Sequence, residues 1–230
     1  MTPPRPPEQP DPVNGPPVAA IVLAAGGSRR MGGDNKLLAE VAGKPMVAHV
    51  VDACRNAGLR QVVLVTGHEG ATVAGLFEPS AVEVAHNPGH ASGMAGSIRA
   101  GLDAVQPGVR GVLICLGDMP GVRPATLRRL VAALRERDDI CVPYHAGRPG
   151  NPVLWGAAHL QALRAAVTGD QGGRRLLRER CTCVRQVAVD DPLIRADADT
   201  PEALAQLRSA LGHPDPGAPG NREETEPFRR

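Results

Sequence analysis

Two groups of residues in this chain have the types and spacing to do chemistry. The first is Ala24-Ala25-Gly26-Gly27-Ser28-Arg29-Arg30, continued by Gly32, Gly33, Asn35 and Lys36. Residues this small cannot pack a core. Glycines let backbone N–H groups approach phosphate oxygens closely, and Arg29, Arg30 and Lys36 neutralise charge, so the run suits a polyphosphate. The second group is carboxylic: Asp118 in Leu116-Gly117-Asp118-Met119-Pro120, with Asp197 and Asp199 in Asp197-Ala198-Asp199-Thr200-Pro201. An aspartate set between Gly and Pro after a buried strand can hold Mg2+ against a triphosphate, because that ion takes oxygen ligands and shares them with phosphates. Plainer readings stand beside these. The loop could be an ordinary connection with solvated arginines, Asp118 a turn residue, and Asp199-Thr200 a helix cap.

Two well-known phosphate loops do not fit. Gly27 and Gly32 have Walker A spacing, but Gly33-Asp34 follows where Lys-Ser/Thr is required. A dinucleotide fingerprint would run straight into a helix, and Arg29-Arg30 stands where that helix should begin.

Strand and helix patterns alternate along the chain, which predicts an α/β fold: a three-layer α/β/α sandwich around a mostly parallel, Rossmann-like sheet. Apolar runs at 19–23, 61–66, 81–86, 111–116, 140–143, 151–154 and 184–189 read as strands. Helices are expected from Gly43-Lys44-Pro45 through Cys54, at 71–77, from about Met94 to Val105, after Pro124, and at 157–166 and 172–179. After Pro124, Leu127, Leu130, Val131 and Leu134 fall at i, i+3, i+4 and i+7. A last helix opens with Thr200 as N-cap and Pro201 at its first position. Residues 1–17, with eight prolines, and 212–230 read as disordered tails around a single domain at 18–211. In such sheets ligands bind beyond the carboxyl ends of the strands, where the 24–36 loop, Thr66-Gly67, His86-Asn87-Pro88, Gly117-Asp118 and Asp197 collect.

Composition narrows the function classes. A net charge of +2 and 2% aromatic residues argue against a nucleic-acid partner, which would want a basic field or stacking platforms. Five cysteines include no CxxC pair, and Cys54, Cys115 and Cys141 lie in apolar stretches. No apolar run is long enough to span a membrane and no signal-peptide pattern opens the chain, so a cytoplasmic protein is expected.

The run Leu23-Ala24-Ala25-Gly26-Gly27-Ser28-Arg29-Arg30-Met31-Gly32, followed by Asn35-Lys36-Leu37-Leu38, resembles the signature of the nucleotidyltransferases. More narrowly, it resembles the molybdenum cofactor cytidylyltransferases and guanylyltransferases. Gly117-Asp118-Met119-Pro120 resembles that family's metal-binding element. Asp197-Ala198-Asp199-Thr200-Pro201 resembles its closing motif, with Ala198 where a larger aliphatic residue is usual. His86-Asn87-Pro88 with Ser92-Gly93-Met94-Ala95-Gly96-Ser97 is similar to its base- and sugar-binding stretch. Arg148-Pro149-Gly150-Asn151-Pro152, with Asn151 where histidine is frequent, and Gly169-Asp170-Gln171-Gly172-Gly173-Arg174 are similar to acceptor-side segments, with Arg174 or Arg175 a candidate contact.

The resemblance spans residues 18–207 and implies a fold of the nucleotide-diphospho-sugar transferase type. The implied reaction joins CTP to a molybdopterin-type phosphomonoester and releases pyrophosphate. Lys36, Arg30 and Asp118 would be catalytic, with Mg2+ on Asp118 and Asp199 or Asp197. The nucleotide would be bound by Leu23, Ala24, Ala25, Gly26, Gly27, Ser28, Arg29, Lys36, Thr66, Gly67, Asn87, Gly93, Ser97 and Gly117. Guanine-using members resemble LAGG where this chain has Leu23-Ala24-Ala25-Gly26; the added methyl favours a pyrimidine donor. A guanylyltransferase, another cytidylyl or sugar-phosphate enzyme, and a non-catalytic chaperone presenting cofactor to a molybdenum hydroxylase apoenzyme remain open alternatives.

Overall fold

The computed structural model describes residues 17–27, 35–166 and 173–212; Ser28, Arg29, Arg30, the 169–172 segment and nearly all of both tails lie outside them. The strands are β1 Val18–Ala24, β2 Glu40–Val41, β3 Lys44–Pro45, β4 Gln61–Thr66, β5 Glu83–His86, β6 Gly111–Leu116, β7 Ile140–His145, β8 Arg148–Pro149, β9 Val153–Gly156 and β10 Val184–Ala188. The α-helices are α1 Met46–Asn56, α2 Gly70–Ala74, α3 Met94–Ala104, α4 Pro124–Ala133, α5 Leu160–Ala166, α6 Arg174–Glu179 and α7 Pro201–Gly212. The main sheet runs β10-β7-β9-β6-β1-β4-β5, with β8 beside β7. Along that path only β9 is antiparallel, inserted between β7 and β6.

Central strands are apolar on both faces because both are covered. On β1, Val18, Ala20, Val22 and Ala24 face one core with Val47, Val50, Cys54, Leu127 and Leu130 of α1 and α4. Ile21 faces the other, with Ala95 and Ile98 of α3, Leu163 of α5 and Leu176 of α6. The period-two alternation thus builds the three layers. Gly101 lets α3 press on β1, since a Cβ there would stand 2.5 Å from Ile21 Cγ2. Cys54 and Cys115 fill this interior, their sulfurs 3.8 Å apart. Hydrogen bonding to Cys54 and burial push the Cys115 thiol well up, which keeps it an inert packing residue. Among the described residues no helix is long and apolar enough to cross a membrane.

Several elements depart from the sequence expectation. Lys44-Pro45 does not open a helix but pairs antiparallel with Glu40-Val41. Ala42 and Gly43 both have positive φ, 45° and 83°, as a two-residue hairpin turn demands. The strand expected at 151–154 starts at Val153, because the Asn151 N–H donates to the Ile194 carbonyl and Pro152 has no N–H. That expected at 81–86 starts at Glu83, because the Ala81 N–H closes a turn on Glu78. The 71–77 helix is shorter, ending at Ala74.

One buried carboxylate has a purely structural task. Asp139 accepts from the N–H groups of Arg135 and Glu136 at 2.8 and 2.9 Å and pairs with Arg185 at 2.9 Å, tying the end of the α4 segment to β10. Burial works to raise its pKa, but the Glu136 N–H, the Arg185 guanidinium and the Arg135 N–H together hold it below the ordinary carboxylate value. A depressed native pKa stabilises the fold above about pH 4, and that contribution is lost as pH falls through the native value. Asp139→Ala should therefore cost about 2 kcal/mol near neutrality. In thermal melts the gap between wild type and variant should close in acid; a gap that persists at low pH would contradict the assignment.

Candidate nucleotide and metal site

The site is built where β1 and β6 end side by side. The Gly117 N–H donates to the Leu23 carbonyl at 3.0 Å, and a Cβ on Gly117 would stand 2.8 Å from that oxygen, so only glycine lets the strand ends meet this closely. Asp118 follows at once. From Asn35 the chain enters a 3-10 turn at Lys36–Leu38, capped by Asn35 Oδ1, which accepts from the Leu37 N–H at 3.2 Å. Leu37 is buried against Gly117 and anchors the turn. Asp199 arrives from the far end of the chain. The Ala198 N–H donates to the Asp118 carbonyl at 3.1 Å, and Ala198 is buried with Val41, Met46, Leu204 and Leu207. Thr200 then caps α7 through its hydroxyl, which accepts from the Ala203 N–H at 3.2 Å.

Lys36 Nζ stands 2.6 Å from Asp118 Oδ2 and 2.6 Å from Asp199 Oδ1. Burial would lower the pKa of this ammonium; the two carboxylates outweigh it and leave the value raised. Lys36 is thus charged at any physiological pH. Asp197 is exposed, and desolvation followed by repulsion from Asp199 and Asp118 raises its pKa.

The donor set fits a hard divalent cation. Two carboxylate oxygens face one point, both in contact with the same nitrogen. Among the described residues no cluster of three or more His, Cys, Asp or Glu forms a cage. Mg2+ is commonly bound in this way, with one or two carboxylates and the rest of its shell from phosphate and water.

The other sequence candidates divide. Ala24 and Ala25 are buried, while Gly26 and Gly27 are exposed; a Cβ on Gly26 would meet no atom of the described residues within 4 Å. Gly67 is wedged beside the loop, its Cβ position 2.5 Å from His90 Cβ and 2.9 Å from Ala25 Cβ. Thr66 is buried with its hydroxyl 3.5 Å from His86 Nδ1. Asn87 and Ser97 are occupied with each other: Asn87 Nδ2 donates to Ser97 Oγ at 3.0 Å, and its Oδ1 accepts from the Gly89 N–H at 3.1 Å. Gly93, at φ 111° and ψ 176°, makes the turn into α3 in a conformation that side chains disfavour. Arg148, Arg174 and Arg175 are exposed, and Asn151 lines a small apolar cavity with Cys115, Leu116 and Met119. His68 and His90, with ring centroids 6.1 Å apart beside Ala25 and Gly67, were not singled out by motif spacing.

A mostly parallel sheet with a small-residue loop after its first strand and acidic residues at neighbouring strand ends is the architecture of nucleotidyltransferases of the nucleotide-sugar transferase type. Rv0371c from Mycobacterium tuberculosis H37Rv shares it, with a TM-score of 0.74 and 29% identity over 84% of this chain and 98% of that one. The same protein has been solved in complex with manganese, with a TM-score of 0.72 and 27% identity over 85% of this chain and 100% of that one. Residues 20–189 match the MobA-like NTP transferase domain, and the chain belongs to that family. Nicotine blue oxidoreductase from Paenarthrobacter nicotinovorans is 29% identical over 83% of this chain and 96% of its own. The bifunctional protein GlmU of Agrobacterium fabrum is 35% identical over 56% of this chain, which matches only 29% of that longer protein.

Proposed function

We propose that the protein transfers a cytidylyl group from CTP to a molybdopterin-type phosphomonoester. The observation that carries this reading is the Lys36 ammonium held between Asp118 and Asp199 at the foot of the Gly26-Gly27 loop. An oxygen of the acceptor phosphate attacks the α-phosphorus in line, the bond from that phosphorus to the bridging oxygen breaks, and pyrophosphate leaves with its electron pair. No protein nucleophile is needed, so positioning and charge neutralisation do the catalytic work. Lys36 and Arg30 offset charge on the α-phosphate and the leaving group, and the backbone at Gly26-Gly27 cradles the chain. Asp118 and Asp199 would hold Mg2+, which when bound neutralises phosphate oxygens. The manganese complex of Rv0371c supports a divalent ion in this family.

Pyrophosphate release measured with each of the four NTPs, with and without molybdopterin, tests the reaction. CTP should exceed GTP by roughly ten-fold or more in kcat/KM, and Ala25→Gly should narrow that gap. The buried methyl of Ala25 abuts Gly67, so its removal enlarges the loop's inner wall. Equal turnover of GTP and CTP would refute the cytidylyl assignment. A second reading comes from the relative named as an oxidoreductase, which matches nearly end to end. Redox turnover of nicotine blue, without pyrophosphate release from any NTP, would establish that reading instead.

A further inference from the structure

Asn35 carries a buried polar atom that has no partner among the described residues. The residue is only 5% exposed, and among the described residues its Nδ2 makes no hydrogen bond. The orientation of the amide is decided by the other atom: Oδ1 accepts from the Leu37 N–H at 3.2 Å, and a flipped amide would set a donor against that donor. Buried donors are rarely left unsatisfied in native proteins, and each such group calls for a reason. Asp118 Oδ2 and Asp199 Oδ1 take the ammonium of the adjacent residue, Lys36.

We infer that Asn35 is a substrate-binding residue whose Nδ2–H donates to a phosphate oxygen of the nucleotide. This deepens the nucleotidyl-transfer reading and rests on it. A triphosphate brings many acceptors and no donor, which is the complement of an orphaned amide N–H. A neutral donor also adds a hydrogen bond without drawing the Asp118 and Asp199 carboxylates away from Lys36. The two atoms of the amide then have separate tasks: Oδ1 shapes the turn that presents Lys36, and Nδ2 holds the phosphate chain beside it.

Because the tasks are separate, two variants of the full chain can divide them. Asn35→Ser keeps a capping oxygen but is too short to reach the ligand, and Asn35→Asp keeps both shape and cap while replacing the donor with an acceptor. Each is read by thermal melting and by calorimetric titration with CTP and with inorganic pyrophosphate in Mg2+. The expected result is a melting temperature close to wild type in at least one variant, with both ligands weakened about ten-fold or more. Undiminished affinity in a folded variant would overturn the assignment and leave Asn35 a cap. So would a loss confined to CTP, because the contact would then lie on the base or ribose. If the wild-type protein binds neither ligand, the nucleotidyl reading itself falls and this inference with it.

Discussion

Asp118→Asn is expected to leave the circular dichroism spectrum unchanged and to lower kcat by about a hundred- to a thousand-fold. The side chain has nearly the same shape, and the backbone at this position is held independently, through Ala198 N–H to the Asp118 carbonyl and Gly117 N–H to Leu23. What changes is charge. One of the two anionic oxygens that converge on Lys36 Nζ is replaced by a neutral amide, and a divalent cation held there as proposed would lose a carboxylate ligand. Excess Mg2+ should recover part of the loss if affinity is the main casualty. Near wild-type turnover at saturating Mg2+ would remove Asp118 from the site.

Lys36→Ala should be comparably severe, again about a hundred-fold or more in kcat, and should raise the KM for nucleotide less than it lowers kcat. The reason is that charge on the leaving pyrophosphate grows toward the transition state, so the ammonium matters most there. A pure KM effect would make Lys36 a ground-state binding residue. The structure adds a second expectation. Removing the ammonium takes away a cation that contacts both Asp118 and Asp199, so the melting temperature of the variant should depend more strongly on Mg2+ than that of wild type. Melts with and without the ion, in the absence of nucleotide, separate this effect from turnover.

Much of the scaffold was legible in the chain. Continuous apolar runs such as Ala19-Ala20-Ile21-Val22-Leu23 mark strands covered on both faces, and the spacing of Leu127, Leu130 and Leu134 marks a helix, because burial imposes a period on local sequence. The loop stood out for an equally local reason: glycines, arginines and a lysine directly after a strand are the residue types a polyphosphate would need. Direction and pairing were not legible. Nothing in Val153-Leu154-Trp155-Gly156 says that this strand runs antiparallel between β7 and β6, since a buried strand has the same composition whichever way its neighbours run. Nor does the sequence around Asn87 say that its amide and Ser97 bond each other. The Lys36 contacts reach 82 residues along the chain to Asp118 and 163 to Asp199. Sequence by itself determined which residues carry charge and which segments must be buried. Only the tertiary structure decided that one ammonium contacts two distant carboxylates and that the Asn35 amide has a donor unpaired among the described residues, because both depend on how separately folded segments stack at the ends of the sheet.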